Sequence, residues 1–268
     1  MSNEPEAQNA KPRSHAKGRG GSGAHVDNIE VQGGPVNNDL WEAKTLLSFE
    51  RAISPERLAP YRGAANGDLL GAVKLYNWNT AVSATFYGPL QTLEVALRNA
   101  MHRELEIKYG PGWFNEAAPG LDNGARNKIA EVRRKLAREG YLVDPPHVVA
   151  SLSLGFWVSL LGPGGVVSAL GVGQGARKAD YERTLWRSAL YKAFPHAKLS
   201  RRAAHAPVED IRKLRNRIAH HEPVFARDLS RDHETLLKVA SWIDPVVYAW
   251  IVMESRAAEV ISLRPMLP

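Results

Sequence analysis

The spacing of apolar residues between positions 84 and 110 constrains the fold of this chain more than any other feature. In "ATFYGPLQTLEVALRNAMHRELEIKYG", large apolar side chains recur at steps of three and four residues: Phe86, Leu90, Leu93, Leu97, Met101 and Leu105. Such spacing forms one buried stripe along an α-helix, and Gly110 and Pro111 should end that helix. Pro89 predicts a kink or a fresh helix start within a longer segment that begins near Asp68.

Helical spacing continues along most of the chain. Further helices are predicted at 123–138, 147–161, 179–193, 207–221, 232–242 and 246–262. Alternating strand patterns are scarce, so we expect an all-α fold in a single domain over residues 39–268. Residues 1–38 contain almost no large apolar side chains, and we expect a disordered tail there because so little surface can be buried. The glycine-rich "LGVGQGARK" at 170–178 lacks the spacing of a phosphate-binding loop, which predicts a connection between helices.

The charge balance indicates the class of partner. Lysine and arginine number 35 against 28 acids, which gives a formal net charge of +7. A basic surface attracts polyanions, and nucleic acid is the first to consider. The chain has no cysteine, which excludes disulfides, thiolate metal sites and cysteine nucleophiles.

Neither end of the chain predicts insertion in a membrane. The first 25 residues are polar throughout and lack the apolar stretch of a secretory signal. Near the other end, "SWIDPVVYAWIVMES" is interrupted by Asp244 and Pro245, and the apolar remainder is far shorter than the roughly 20 residues of a membrane span. We therefore expect a soluble, cytoplasmic protein that does not bind a membrane.

The stretch "APVEDIRKLRNRIAHHEP" carries the main candidate site. Its apolar residues lie on one helical face: Val208, Ile211, Leu214 and Ile218. At about 100° per residue, Asn216 and His220 lie together on the opposite, exposed face. Arg215 then lies on one flank, and His221 lies on the other flank, closer to the core. A structural alternative is that cations near a helix C-terminus are simply favoured by the helix dipole.

The proline at position 223 sets the end of that helix. It disfavours helical geometry at Glu222, which predicts that His220 and His221 both sit in the last turn. Neighbouring residues of a helix point about 100° apart, and no His-Glu-x-x-His spacing is present. We therefore predict no metal site and no cofactor.

A second polar group lies on the helix that contains "LEVALRNAMH". Glu94, Arg98 and His102 recur every four residues and form one stripe beside the apolar face. The structural alternative here is a surface ion pair between Glu94 and Arg98, stabilising by about 0.3–0.5 kcal/mol. Spacing alone does not decide between this ion pair and a functional site.

Four segments, taken in order, resemble the Abi-like proteins of bacterial abortive infection, a family of the HEPN superfamily of helical domains. The segments are "LYNWNTAVSATFYGPLQTLEVALRNAMHREL", "YGPGWF", "LSLGFWVSLLG" and "LRNRIAHHEPVFARDL". They extend from about Leu75 to Trp250. Each motif is short, and the resemblance rests on their occurrence together in this order.

The resemblance implies a set of site residues. The arginine, spacer and histidine pattern of HEPN ribonucleases falls on Arg215, Asn216 and His220 as catalytic residues, and the facing argument favours His220. His221 also satisfies the spacer. Further residues implied as catalytic or supporting are His221, Arg217, Glu94, Arg98 and His102. Such enzymes commonly combine the motifs of two protomers in one metal-independent site, which suits a homodimer because Arg215 and His220 are roughly 140° apart on one helix.

Two functions follow as hypotheses. In the first, the protein is a metal-independent endoribonuclease of an abortive-infection or toxin type. Its histidine moves protons at a ribose 2′-OH or at the leaving 5′-oxygen, and its arginine stabilises the phosphate. In the second, an HEPN protein binds a structured or regulatory RNA without cutting it. The partners expected are RNA, a second copy of the chain and an antitoxin. A weaker alternative is a helical scaffold that binds another protein.

Overall fold

The structure is a computed structural model that describes residues 42–167 and 175–268. The predicted tail at 1–38 lies outside the described residues, as does the part of the glycine-rich segment at 170–174. Within the described residues nearly all regular structure is helical, which confirms the predicted all-α class. In this part of the chain, each helix is either too short or too polar to cross a membrane.

The α-helices in chain order are α1 (Ala43–Ile53), α2 (Pro55–Ala64), α3 (Leu69–Tyr109), α4 (Asn123–Arg138), α5 (Pro145–Ser151), α6 (Leu154–Leu161), α7 (Arg201–Ala219), α8 (Leu229–Ile243), α9 (Pro245–Glu254) and α10 (Ala257–Ser262). Short 3₁₀ turns lie at Trp113–Asn115 and Leu190–Ala193, and a π-helical turn lies at Glu182–Trp186. Two-residue strands, β1 (Val166–Val167) and β2 (Arg177–Lys178), pair antiparallel.

Helix α3 is the central element. Its 41 residues span about 60 Å, and it packs against α2, α6, α7, α8, α9 and α10. Asp68 caps its first turn by accepting hydrogen bonds from the backbone N–H groups of Leu70 and Gly71. The predicted apolar stripe is buried from Phe86 to Leu105. One continuous helix runs through Pro89, so the predicted fresh start there was wrong.

Two other predicted helices are each divided in the structure. The prediction at 147–161 becomes α5 and α6, because Leu152 is extended and Ser153 starts a new helix by accepting from the N–H of Phe156. The prediction at 246–262 becomes α9 and α10, separated at Ser255, whose backbone is also extended. One or two extended residues interrupt each helix without disturbing the apolar pattern around the break.

The remaining predictions had mixed outcomes. The helix predicted at 123–138 is confirmed as α4. The segment 179–193 is not an α-helix and consists of the π-helical turn and a 3₁₀ turn. Helix α7 begins six residues earlier than predicted, where Ser200 caps the N–H of Ala203. Its buried stripe packs against α3, α6 and α8 and brings the end of α7 beside α3.

Candidate functional site

The end of α7 differs from the prediction. The helix stops at Ala219, His220 is the capping residue, and His221 follows with a left-handed backbone (φ 56°). The N–H of His221 donates to the carbonyl of Ile218 at 3.0 Å, and the N–H of Glu222 donates to that of Arg217 at 2.8 Å. These bonds are typical of a helix that ends on a left-handed residue, a position where glycine is usual. The prediction that both histidines sit in the last turn was therefore wrong.

Two side chains hold the backbone that follows this turn. Arg217 donates from Nε and Nη2 to the carbonyl of Pro223, at 3.1 and 2.9 Å. Asn79 on α3, only 6% exposed, accepts with Oδ1 from the N–H groups of Val224 and Phe225 at 2.8 and 3.0 Å. Arg217 is therefore occupied with the local backbone, and Asn79 fixes the loop to the central helix.

Glu94 and Arg215 join α3 to α7. The Nε of Arg215 donates to Oε2 of Glu94 at 3.2 Å, with the two side chains 41% and 21% exposed. The alternative of a Glu94–Arg98 pair was wrong, because Arg98 donates instead to the carbonyl of Ala150 at 3.1 Å. Arg98 thereby ties α3 to the end of α5.

A groove of about 1040 Å³ lies between α3, the α1–α2 junction and the end of α7. Of the residues predicted as candidates, four line it: Glu94, Arg98, Arg215 and His221. Its other polar or aromatic lining residues are Arg57, Tyr61, Tyr76, Asn79, Thr80, Ser83, Tyr87, Gln91 and Glu222. We call this the α3–α7 groove. The structure thus brings together candidate residues that lie more than a hundred positions apart in the chain.

The other candidate residues lie outside this groove. His220 is exposed beyond the helix end, and Asn216 is half-buried, although an exposed position was predicted for it. His102 packs beside Trp113, whose Nε1 donates to its Nδ1 at 3.1 Å. Burial lowers the pKa of His102, while nearby Glu106 raises it and Arg98 lowers it further. An imidazole that accepts a hydrogen bond from a buried indole has a structural role here.

Three tyrosines, Tyr61, Tyr76 and Tyr87, line the α3–α7 groove. The rings of Tyr61 and Tyr76 meet edge to face with centroids 5.2 Å apart, while Tyr87 is 66% exposed. Burial raises the pKa of Tyr61 to about 12, with a further rise from Tyr76 and an opposing effect of Arg57. Tyr61 is therefore neutral at physiological pH and is unsuited to act as a base.

Sequence reasoning missed Asn79 and Tyr87. Both occur in the first segment of the family resemblance, but neither was identified as a functional residue. A signal for Asn79 was present, since it is a polar side chain within a stretch of buried apolar residues, where polar groups are rare unless they are hydrogen-bonded. For Tyr87, no local signal distinguished an exposed aromatic ring from an ordinary surface residue.

Comparison with family models, with curated proteins and with solved structures finds no match to this chain. The resemblance to the Abi-like family accordingly stays a prediction that rests on the quoted motifs. Across residues 42–167 and 175–268, no three His, Asp or Glu side chains are grouped so that they could hold a metal ion.

Proposed function

We propose that the α3–α7 groove binds RNA and cleaves it with Arg215 and His221, in a metal-independent endoribonuclease reaction of an abortive-infection or toxin type. The observation that carries this proposal is that Arg215 and His221 of one chain line the same groove, beside Glu94. A guanidinium is charged at any physiological pH and matches the geometry of a phosphate. An imidazole titrates near neutral pH and can move protons.

The hydrogen bonding of Arg215 supports this role. Glu94 accepts only from the Nε of the guanidinium, and neither Nη group of Arg215 makes a hydrogen bond with the described residues. Glu94 therefore orients the side chain and leaves its two terminal amino groups free to donate to a phosphate as a pair.

The proposed reaction is a transesterification within the substrate. His221 takes the proton of a ribose 2′-OH while the 2′-oxygen attacks the neighbouring phosphorus. The bond from phosphorus to the 5′-oxygen breaks, and the imidazolium returns its proton to that oxygen. Arg215 stabilises the extra negative charge on the phosphoryl oxygens. The products carry a 2′,3′-cyclic phosphate and a 5′-OH, and DNA resists because it lacks the 2′-OH.

The groove's dimensions and rings suit a single strand. The volume of the groove, about 1040 Å³, lies at the upper end of the range found for small-molecule sites, about 1,000 Å³. Exposed aromatic rings such as Tyr87 are the surfaces on which unpaired RNA bases stack. We therefore infer that single-stranded segments of RNA are the substrate.

The test is cleavage of end-labelled RNA in excess EDTA by the wild type and by three variants, Arg215→Ala, His221→Ala and His220→Ala. We expect cyclic-phosphate ends from the wild type, a loss of roughly 10²-fold or more in Arg215→Ala and His221→Ala, and little change in His220→Ala. The opposite outcome for the two histidines would contradict the assignment of His221. Intact RNA after incubation with the folded wild type would refute the nuclease.

The ion pair also favours a second candidate, an RNA-binding protein without catalysis. Glu94 offsets part of the charge of Arg215, which weakens the stabilisation of a transition state more than it weakens binding. In that case the wild type retains uncut RNA, and His221→Ala leaves its affinity unchanged. The same set of proteins therefore separates cleavage from binding.

Co-expression of two differently tagged chains, one with Arg215→Ala and one with His221→Ala, tests whether a homodimer builds each site from one protomer or from both. If each site takes both residues from one chain, every groove in the mixed dimer carries a defect and activity stays lost. A composite site that takes the arginine from one protomer and the histidine from its partner regains one intact site. Because both residues line one groove of one chain, we expect no recovery.

A further inference from the structure

A second groove, of about 530 Å³, follows α4. It lies between that helix and the junction of α5 with α6, and we call it the α4 groove. Four cations line it: Lys128, Arg134, Lys135 and Arg138. The serines at 151 and 153 also line it, and Glu131 is its one carboxylate among the described lining residues. A concave surface with this charge concentrates anions.

The four cations of the α4 groove have no partners within the described residues. Their side chains make no ion pair and no hydrogen bond within the described residues. Some arginines elsewhere in the described residues do have close partners: Arg212 pairs with Glu209 and Arg227 pairs with Asp232, each at 2.7 Å. Like charges along one surface repel one another, and a bound polyanion would relieve that repulsion.

The helix dipole does not explain the whole set. It favours cations in the last turn of α4, which accounts for Lys135 and Arg138. Lys128 lies in the first half of the helix, where a cation gains nothing from the dipole. From Lys128 to Arg138 the helix rises about 15 Å, so the cations line an extended track.

The two grooves come close to each other at the end of α5. Arg98 lines the α3–α7 groove and donates to the carbonyl of Ala150. The next residue, Ser151, lines the α4 groove. Arg98 of one groove therefore contacts the residue next to Ser151 of the other, which is the proximity that one extended strand would need to reach both.

We infer that the α4 groove binds the sugar-phosphate backbone of an RNA strand whose cleaved segment lies in the α3–α7 groove. This inference rests on the proposed function for the identity of the strand. The unpaired cations supply the phosphate contacts, which carry affinity without sequence preference. Substrate length then determines affinity, while Arg215 and His221 determine the chemistry.

The experiment measures binding of a fluorescent, fully 2′-O-methylated oligoribonucleotide, which has no 2′-OH to be cut. Fluorescence anisotropy gives the affinity at several salt concentrations for the wild type and for a triple variant, Arg134→Gln, Lys135→Gln and Arg138→Gln. Each phosphate contact contributes about 0.7 to the slope of log affinity against log salt for a single strand. We expect the triple variant to bind roughly tenfold more weakly at low salt and to lose about 2 from the magnitude of that slope.

A second triple variant, Lys192→Gln, Lys198→Gln and Lys238→Gln, is the matched control. It removes the same charge from exposed lysines that line neither groove, and we expect its slope to equal that of the wild type. Equal slopes for the α4 variant and the wild type overturn the inference. So does binding to vesicles of phosphatidylserine through the α4 cations without binding to the oligonucleotide.

A cleavage assay separates this inference from the proposed nuclease. If the nuclease is real, the α4 variant cuts a trinucleotide at the wild-type rate and cuts long RNA with a raised KM. If the wild type cuts no RNA but the slopes still differ, the nuclease is refuted and the α4 groove stands as an RNA-binding site. A variant that loses cleavage of trinucleotide and long RNA alike, with an unchanged slope, overturns the α4 groove alone.

Discussion

Arg215, near the end of α7, donates from Nε to Oε2 of Glu94, near the middle of α3, over 3.2 Å. The two residues are 121 positions apart in the chain, and their contact fixes the end of α7 against the central helix. The pair is partly exposed, so it contributes at most about 1 kcal/mol to folding. Its geometry is therefore better explained by the groove that it lines than by stability.

The variant Arg215→Lys tests whether the pair serves the activity of the groove rather than the stability of the fold. A lysine keeps the charge but loses the planar guanidinium that can donate to Glu94 and to a phosphate together. We expect cleavage to fall by roughly 10²-fold while the free energy of unfolding in urea changes by less than about 1 kcal/mol. The matched control is Arg187→Lys, since Arg187 also pairs through Nε with a glutamate, Glu182, at 3.1 Å, and lines neither groove. A stability loss without a cleavage loss would contradict the role of Arg215.

Asn79 gives a prediction about stability. In Asn79→Ala, the buried N–H groups of Val224 and Phe225 lose their acceptor. Each unsatisfied buried group costs about 1–3 kcal/mol, so with two such groups we expect the free energy of unfolding to fall by about 2–6 kcal/mol. The control is Thr80→Ala on the same helix, whose exposed hydroxyl donates only to the carbonyl of Tyr76. Equal urea midpoints for the two variants would show that Asn79 does not hold the loop.

The fold was predictable where a long apolar stripe determines it. The stripe from Phe86 to Leu105 predicted the second half of α3, and the spacing at 123–138 predicted α4, because burial of one helical face leaves a periodic pattern. The breaks at Leu152 and Ser255 were not predictable. Only a few backbone angles change at each break, and the apolar residues on either side keep a helical spacing.

The candidate site was only partly predictable. Glu94, Arg98 and Arg215 could be identified as candidate site residues from the sequence. The angles between residues of one helix, however, do not show which residues of another helix lie opposite them. The preference for His220 assumed that the helix continued through both histidines. The left-handed backbone at His221 changes the direction of that side chain, and a histidine is only a weak signal of such a conformation, which is usual for glycine.

The pH dependence of stability follows from His102. Burial lowers its pKa below the ordinary value of 6.5 in the folded state, so the unfolded chain takes up a proton more readily. Its contribution is fully present above pH 6.5 and is lost as the pH falls toward the folded pKa. Protonation of Nδ1 also removes the hydrogen bond from Trp113, which costs about 1 kcal/mol.

Urea denaturation at several pH values between about 7.5 and 5 checks this dependence. We expect the free energy of unfolding to fall across that range, and to fall less in His102→Gln, whose amide oxygen can accept from Trp113 without titrating. Burial also lowers the pKa of His233, so a smaller dependence should persist in this variant. The same slope in the wild type and in His102→Gln would refute the role of His102.

The left-handed backbone of His221 (φ 56°) gives a prediction in which activity is lost but stability is not. A non-glycine residue in this region carries strain of about 1 kcal/mol or more, which exceeds the entropic cost of glycine, about 0.5–1 kcal/mol. In His221→Gly we therefore expect the free energy of unfolding to stay level or rise by up to about 1 kcal/mol. Cleavage should be lost, because no imidazole remains in the groove.

The control for this prediction is His220→Gly. The backbone of His220 is right-handed, with φ −94°, so glycine relieves no strain there and adds only its own entropic cost. We expect this variant to be slightly less stable than the wild type and to keep most of its cleavage. Retention of a histidine at a strained position, against its stability cost, is expected where the side chain has a function. If His221→Gly lowered stability as His220→Gly does, the strain would be absent, and if it retained cleavage, His221 would not be the proton-transfer group.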